Sequence, residues 1–357
     1  MTEPVDLLRE LVELESPTGY SAGLQSVGER IAAEVEPMGA ESGFAGDHLR
    51  AELPGHGQPL LVLGHLDTVW AVGSLGRMPF RIEGDRAYGP GAYDMKAGLV
   101  VLVEALREAA ADRRAVRVFL TADEEIGSPT ARALIEEAGD GVAAALVLEP
   151  PTLRGELKTA RKGQARYRLT VHGRAAHAGT HPDDGASAVE ELAHQILGLK
   201  RLSDPDRGIT VNVGVVRGGV RENVVADHAE AWVDVRVAHA ADVSRIEIAL
   251  AALEPSDART RLELEGGFTR PPLQPSAGGA RLFEKAREHG LRLGLDLRET
   301  SSGGGSDGNL VGALGVPVLD GLGAEGAGAH ARDEHVILPS VPVRARLLSQ
   351  LLIDPGL

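Results

Sequence analysis

The first 160 residues alternate between short apolar runs and stretches with helical spacing of apolar positions. The apolar runs, each bounded by turn residues, predict buried strands at 60–63, 116–120 and 144–148. The helical spacing predicts helices around 7–14, at 97–111 and at 130–137. Strands that alternate with helices are typical of a largely parallel sheet covered by helices on both faces, which places this region in the α/β class.

A different pattern begins near Gly163. Strand-like segments at 165–171, 209–216, 229–237 and 261–265, with helical spacing at 186–199 and 242–253, predict the order β-α-β-β-α-β. That order is typical of a compact antiparallel sheet packed against two helices. The α/β pattern then resumes, with a predicted helix at 280–289, a strand at 316–319 and a helix at 341–352. We therefore predict a discontinuous main domain, 1–162 and 271–357, with a lid inserted at 163–270.

Composition narrows the chemistry that this fold can carry. The 357 residues contain no cysteine, which excludes disulfides and thiolate nucleophiles and leaves His, Asp and Glu as metal ligands. A formal net charge of -15 argues against a nucleic-acid surface, which needs clustered Lys and Arg. The sequence shows no signal-peptide pattern and no apolar run near the roughly 20 residues of a membrane helix. We expect a cytoplasmic protein with neither a nucleic-acid nor a membrane partner.

Histidine and acidic side chains follow all three predicted strands of the first region. His65 and Asp67 follow the first strand, and residues two apart on a strand share a face. Glu124 and Glu125 follow the second strand, and Glu149 follows the third. Each has an ordinary alternative, such as a strand end or a solvated acidic turn. Open α/β sheets bind ligands at the carboxyl ends of their strands, so the set as a whole indicates a shared site.

Two further candidates follow glycine-rich turns. Asp94 comes after Gly-Pro-Gly-Ala-Tyr, where the alternative is a helix cap, and His330 follows Gly-Ala-Gly-Ala. With His65, Glu125 and Glu149 they make a nitrogen and oxygen ligand set suited to two zinc ions per subunit. One aspartate of such a set can bridge metals about 3.5–4 Å apart.

Five motifs extend over nearly the whole chain: Gly-His-Leu-Asp-Thr at 64–68, Gly-Pro-Gly-Ala-Tyr-Asp at 89–94, Asp-Glu-Glu-Ile-Gly at 123–127, Leu-Glu-Pro at 148–150, and His330 with Glu334. In order and spacing they resemble the di-zinc aminoacylase and glutamate carboxypeptidase family of metallopeptidases, which includes acetylornithine deacetylase and succinyl-diaminopimelate desuccinylase. Gly-Gly-Phe-Thr-Arg-Pro-Pro at 266–272 and Met-Pro-Phe-Arg-Ile-Glu-Gly-Asp at 78–85 are similar to the glutamate carboxypeptidase subgroup. The resemblance implies a zinc-peptidase-like, mostly parallel sheet flanked by helices, with an inserted α+β domain for lid closure and dimerisation.

The resemblance also implies roles for the candidate residues of the main domain. His65 and Glu149 would bind one zinc ion, Glu125 and His330 the other, and Asp94 would bridge them.

The same resemblance separates helpers from ligands. Glu124 would be the general base, and Asp67 would orient His65 by accepting a hydrogen bond from its ring. The chain departs from the pattern at Met95, where many relatives carry a second acid after the bridging aspartate. Met95 is not an expected ligand, so the predicted site is unchanged.

The predicted lid carries its own candidates by resemblance. His177, in Gly-Arg-Ala-Ala-His-Ala-Gly, would stabilise an oxyanion, often across to a partner subunit, so a homodimer is implied. Asn223 would bind substrate, and Arg270 would hold the substrate α-carboxylate with its bidentate fork. In the main domain, Gly303, Gly304 and Gly305 would offer backbone N–H groups to the substrate.

The predicted activity is hydrolysis of an amide bond next to a free α-carboxylate, on a small peptide or an N-acyl amino acid. Resemblance to the subgroup favours a carboxypeptidase that releases C-terminal glutamate by attack of a metal-bridging hydroxide, with Glu124 as base. An N-acyl amino-acid deacylase or dipeptidase would use the same metal site. A non-catalytic binding module is the alternative of another class, and the full ligand set argues against it. Dinucleotide binding through the Gly-x-Gly-x-x-Gly pattern at 321–326 is disfavoured because no clear helix follows.

Overall fold

The computed structural model describes residues 2–357. The chain divides into two compact units. Unit 1 comprises Met1–Ala160, Pro275–Ser302 and Ser306–Leu357, and unit 2 comprises Arg161–Gln274 and Gly303–Gly305. The segment predicted as the lid, 163–270, lies within unit 2, and its lid function stays a prediction.

The strands are, in chain order, β1 (Glu41–Ala45), β2 (His48–Leu53), β3 (His56–His65), β4 (Arg81–Glu83), β5 (Arg86–Tyr88), β6 (Arg114–Thr121), β7 (Ala144–Val147), β8 (Leu157–Arg161), β9 (Gly163–His172), β10 (Thr210–Gly218), β11 (His228–Val237), β12 (Arg261–Arg270), β13 (Glu299–Ser302), β14 (Val318–Leu319), β15 (Gly326–Ala327) and β16 (His335–Ile337). The α-helices are α1 (Pro4–Glu13), α2 (Ser21–Val35), α3 (Ala97–Ala109), α4 (Arg132–Ala138), α5 (Ala188–Lys200), α6 (Ala240–Ala251), α7 (Ala277–Arg292), α8 (Gly308–Ala313) and α9 (Ser340–Ile353). In the described part of the chain, 2–357, no helix combines the length and apolar character needed to cross a membrane.

The main sheet of unit 1 has six strands in the order β1-β2-β6-β3-β7-β14. β6, β3, β7 and β14 run parallel, while β1 and β2 form an antiparallel hairpin at one edge. His65 at the end of β3 pairs with Thr121 at the end of β6, and Leu63 pairs with Val147 at the end of β7. The predicted mostly parallel α/β sheet is confirmed, and its register brings the carboxyl ends of three strands side by side.

The core of unit 1 explains why these segments form regular structure. The apolar positions of α1, Leu7, Leu8, Leu11 and Val12, are all buried, as the spacing predicted. α3 is apolar over most of its surface, and its residues from Ala97 to Val103 are buried, as expected for a helix largely enclosed by other elements. Burial of α3 fixes the chain directly after Asp94.

Unit 2 contains the order β9-α5-β10-β11-α6-β12, which is the predicted β-α-β-β-α-β arrangement. Its antiparallel sheet has the strand order β10-β11-β9-β12 and a separate apolar core with Leu169, Val171 and Val235 fully buried. β12 extends five residues beyond the predicted end and reaches Arg270, pairing with β9 with an irregularity between Phe268 and Arg270.

A second antiparallel sheet in unit 1, with strand order β15-β16-β5-β4, was not predicted from the sequence. Its strands are only two or three residues long, too short to give a periodic signal. His335 of β16 pairs with Tyr88 of β5, so the segment after His330 lies beside the turn that leads to Asp94. β15 begins at Gly326 where a dinucleotide-binding motif would need a helix, so the glycine pattern at 321–326 lacks that structural context.

Candidate metal centre

The end of β3 places His65 and Asp67 in a buried network. The His65 ring is 2% exposed, and its Nδ1 lies 2.9 Å from the backbone oxygen of Asp67 and 3.4 Å from its Oδ1. Asp67 also accepts hydrogen bonds from the Thr18 hydroxyl at 2.6 Å and from the backbone N–H groups of Glu124 and Glu125 at 3.1 and 3.2 Å. Asp67 therefore holds both the ring of His65 and the turn that carries the two glutamates, a contact that the sequence did not reveal.

Asp94 lies between the two candidate histidines. Its Oδ1 is 3.3 Å from Nε2 of His65, and its Oδ2 is 3.4 Å from Nε2 of His330. Glu149 Oε1 lies 3.7 Å from Nε2 of His65, and Glu125 Oε2 lies 3.2 Å from Nε2 of His330. The structure thus brings all five predicted ligands together as two groups that share Asp94, one carboxylate oxygen to each group.

The chemistry of these donors fits divalent metal ions. Ligand atoms of His65, Glu124 and Glu149 lie within 4.8 Å of one another, and so do those of His65, Asp94 and Glu125. Oε1 of Glu125 is buried and has no hydrogen-bond partner among residues 2–357. Converging carboxylates with an orphaned buried oxygen are costly unless a cation neutralises them. Imidazole nitrogens and carboxylate oxygens are a donor set that zinc accepts.

The electrostatics of the centre show how strongly it attracts positive charge. Hydrogen bonds with Asp94 and Glu125 raise the pKa of His330 to about 10. Burial alone would lower the pKa of His65, but its hydrogen bonds with Asp67 and Asp94 raise it well above the usual value. Burial would raise the pKa of Asp94, and the two histidines reverse the direction and hold it below its usual value.

Glu124 and Glu125 are adjacent and both lie near His65, but each also has partners of its own. They begin a short helical turn, Glu124–Ile126, which follows β6 after Ala122 and Asp123. Glu124 approaches His65 and Glu149, while Glu125 approaches His330 and Asp94. The two neighbours can therefore carry separate roles, one as a base and one as a ligand.

The contacts of Asp123 and Asp94 show which of these two acids belongs to the centre. Asp123 turns away and accepts the backbone N–H and the hydroxyl of Thr130, both at 2.7 Å. Asp94 does not cap α3, whose N-cap is Lys96 and which has no side-chain capping bond.

Glu334 is the residue whose contribution the sequence did not show. The motif pairs it with His330, and its buried carboxylate accepts four hydrogen bonds from the loops around Asp94. Burial raises the pKa of Glu334, although those N–H donors oppose the shift.

The first turn of α3 packs directly against the strand end that carries Glu149. A Cβ added to Gly98 would lie 2.5 Å from the carbonyl oxygen of Leu148 and 2.9 Å from Met95 Cε. We expect Gly98→Ala to displace Leu148 and Glu149, lowering the free energy of unfolding by about 1–3 kcal/mol and weakening metal binding. Chemical denaturation and metal titration measure both effects. Gly43→Ala on β1 is the control, because an added Cβ there meets no heavy atom within 4 Å; equal effects in both variants would contradict the prediction.

The candidates predicted for the lid, and the three glycines, lie in unit 2. His177 is exposed, and its Nδ1 accepts backbone N–H groups of Gly179 and Thr180 at 3.1 and 3.2 Å. Asn223 is adjacent, because its carbonyl accepts the N–H of Ala178 at 3.1 Å.

Arg270 ends β12 opposite Gln164 of β9 and is 3% exposed. The carbonyl of Gly303 accepts a hydrogen bond from Arg236, and those of Gly304 and Gly305 accept from Arg161. The substrate-binding roles of these residues stay predictions.

Comparison with known proteins gives consistent matches over the chain. The family model described as peptidase family M20/M25/M40 matches residues 61–354. Carboxypeptidase G2 of Pseudomonas sp. (strain RS-16) is 30% identical over 99% of this chain and 89% of its own length. Succinyl-diaminopimelate desuccinylase of Thioalkalivibrio sulfidiphilus (strain HL-EbGR7) is 27% identical over 99% of this chain and 98% of its own. The crystal structure of aminopeptidase PepT from Bacillus cereus superposes with a TM-score of 0.82 over 99% of this chain and 98% of that one, and at 24% identity it shows the shared fold.

Proposed function

We propose that this chain, which belongs to peptidase family M20/M25/M40, is a zinc-dependent carboxypeptidase that releases C-terminal glutamate. Membership of the family confirms the resemblance predicted from the motifs and the prediction of a metallopeptidase-type hydrolase. The choice of zinc and of glutamate is our proposal.

The observation that carries the proposal is the position of Asp94 between two histidines, each with a carboxylate of its own. His65 with Glu149 and His330 with Glu125 would hold one zinc ion each, and Asp94 would be common to both. Zinc ions held there would act as Lewis acids toward the amide carbonyl and lower the pKa of a water molecule.

Glu124 would move protons in this reaction. A carboxylate oxygen of Glu124 lies within 4.8 Å of ligand atoms of His65 and Glu149. Its backbone is held by the hydrogen bond from its N–H to Oδ1 of Asp67 at 3.1 Å, which fixes the base relative to His65. Glu124 would take the proton of the attacking water and return it to the leaving amine.

His177 would donate a hydrogen bond to the oxyanion. Because its Nδ1 accepts two backbone N–H groups, the neutral ring carries its proton on Nε2, which is left as a donor. Arg270 would hold the substrate α-carboxylate, a role that rests on the family resemblance and on the bidentate geometry of guanidinium.

Homodimer formation and a cytoplasmic location are also proposed. Sedimentation analysis tests the dimer, and cell fractionation tests the location.

The substrate proposal rests on similarity to carboxypeptidase G2 and on the motif at 266–272. Full-length similarity to a succinyl-diaminopimelate desuccinylase supports an N-acyl amino-acid deacylase as the second candidate, using the same residues.

A release assay over dipeptides ending in Glu, Asp, Gly and Leu, with the matching N-acyl amino acids and added zinc, separates these functions. We expect kcat/KM for C-terminal Glu to exceed that for Leu or Gly by at least about tenfold, because the extra carboxylate gains a specific partner. Chelation of the metal should remove this activity. Preference for N-acetyl or N-succinyl amino acids would instead support the deacylase, and no turnover of any substrate would favour a binding module.

A further inference from the structure

We infer that Glu334 is a positioning residue that holds three loops of the metal centre together through a single buried carboxylate. Each of these loops is next to, or contains, a proposed metal ligand. The functional consequence rests on the proposed metal site, but the positioning itself is a property of the protein alone.

The carboxylate of Glu334 uses its full capacity as an acceptor. Oε1 accepts the backbone N–H groups of Tyr93 and Asp94, both at 3.0 Å. Oε2 accepts the backbone N–H of Gly91 at 3.0 Å and the indole Nε1–H of Trp70 at 2.7 Å. An ionised carboxylate offers about four lone-pair directions, and four donors fill them. The residue is only 1% exposed, so water does not provide an alternative partner.

The turn that delivers Asp94 depends on these bonds because its backbone is irregular. Asp94 and Met95 have backbone angles outside the helical range, and Gly91 has a φ of +71°. Within this segment the N–H of Ala92 donates to the carbonyl of Gly89 and the N–H of Lys96 to that of Gly91. The N–H groups of Gly91, Tyr93 and Asp94 go to Glu334 instead, and buried N–H groups left without an acceptor are costly.

Glu334 is itself fixed from both sides. Its N–H donates to the carbonyl of Ala331 at 3.0 Å, and its carbonyl accepts the N–H of Gly89 at 3.3 Å. The next residue, His335, is paired with Tyr88 across β16 and β5. The carboxylate is therefore held by the segment that carries His330, four residues earlier in the chain.

The side chain of Glu334 joins all three loops. Trp70 lies in the loop after His65 and Asp67, the 91–94 turn carries Asp94, and the third loop carries His330 and Glu334 itself. Glu334 belongs to the third loop and accepts hydrogen bonds from the other two. It therefore sets the separation of His65, Asp94 and His330. Loss of a residue that holds metal ligands in position through hydrogen bonds typically lowers metal affinity about 10- to 100-fold.

The test is site-resolved hydrogen exchange on metal-free Glu334→Gln. Gln presents an NH2 group to donors that need an acceptor, so we expect the amides of Gly91, Tyr93 and Asp94 to exchange at least about tenfold faster. The emission of Trp70 should also change in a Trp232→Phe background, where it is the remaining tryptophan. Unchanged exchange at the three amides would overturn the proposal.

Glu15→Gln is the matched control. Glu15 also accepts backbone N–H groups, from Gly73 at 2.7 Å and Leu75 at 2.9 Å, which belong to a different segment from the 91–94 turn. We expect faster exchange at Gly73 and Leu75 in that variant and unchanged exchange at 91–94. Glu334→Asp keeps the charge but is one methylene shorter, so it should give an intermediate acceleration. Uniformly faster exchange over the whole chain in both Glu334 variants would assign the residue a general role in stability and overturn positioning.

Metal titration against a chelator then separates this inference from the proposed function. Zinc affinity of Glu334→Gln should fall about 10- to 100-fold, with that of Glu15→Gln unchanged. Local acceleration of exchange in a protein that binds no zinc, even as wild type, would retain the positioning and refute the proposed metal site.

Discussion

Glu124→Gln is expected to abolish turnover while the protein keeps its full metal content, whereas Glu125→Gln is expected to lose metal. The two residues are adjacent, but Glu124 faces His65 and Glu149, and Glu125 contacts His330 at 3.2 Å. General acid–base catalysis contributes roughly 10²- to 10⁴-fold, so kcat of Glu124→Gln should fall by at least that factor. Glutamine retains an oxygen donor but cannot accept and return the proton. Steady-state kinetics and metal analysis of the same preparations measure both quantities.

Glu137→Gln, at an exposed position on α4, is the control for the change of charge, and it should match the wild type in both measurements. Near-normal turnover in Glu124→Gln would remove this residue from the role of base. Loss of metal from both glutamate variants alike would mean that the two carboxylates share one role.

The strands and helices that surround the site were predictable because their burial is nearly complete. The carboxyl-terminal parts of β3 and β6 and the whole of β7 are buried apolar runs, and such runs stand out from the flanking turn residues. The exact ends of helices and strands were harder to predict, because they depend on the backbone conformation of single residues. The helix predicted at 97–111 ends at Ala109 because Ala110 adopts a φ of +41°, which apolar spacing does not encode.

Other elements carried weaker signals or were overlooked. β1 is largely exposed and lacks alternation, so no pattern marks the hairpin with β2. α2 does show helical spacing, since Leu24, Val27 and Ile31 are buried, and that signal was available in the sequence.

The candidate ligands could be found because strand ends and tight turns concentrate His, Asp and Glu in a recognisable order. The residues that hold these ligands in position could not be found from the sequence. Glu334 binds backbone N–H groups of residues about 240 positions away, and a backbone donor leaves no trace in residue type. The same holds for Asp67, which accepts N–H groups of Glu124 and Glu125 in addition to contacting His65. Sequence reasoning therefore identifies the groups that touch metal or substrate more readily than the carboxylates that fix their separation.

Asp94→Asn is expected to lose metal from both positions, in contrast to His330→Ala, which should lose it from one. Each oxygen of Asp94 faces a different histidine, at 3.3 Å for His65 and 3.4 Å for His330, so a shared ligand is removed when one oxygen becomes an amide nitrogen. His330 belongs to a single group, with Glu125. Loss of Lewis-acid stabilisation worth several kcal/mol should lower kcat/KM of Asp94→Asn by roughly a thousandfold or more.

Metal analysis after equilibrium dialysis provides the deciding comparison. Metal content should fall from about two ions per subunit to near zero in Asp94→Asn and to about one in His330→Ala. Glu149→Gln is the matched variant of the other group and should resemble His330→Ala, because Glu149 lies on the His65 side of Asp94, 3.7 Å from His65 Nε2. If Asp94→Asn instead kept one ion, Asp94 would serve a single metal, and the two groups around it would have to be treated as independent sites.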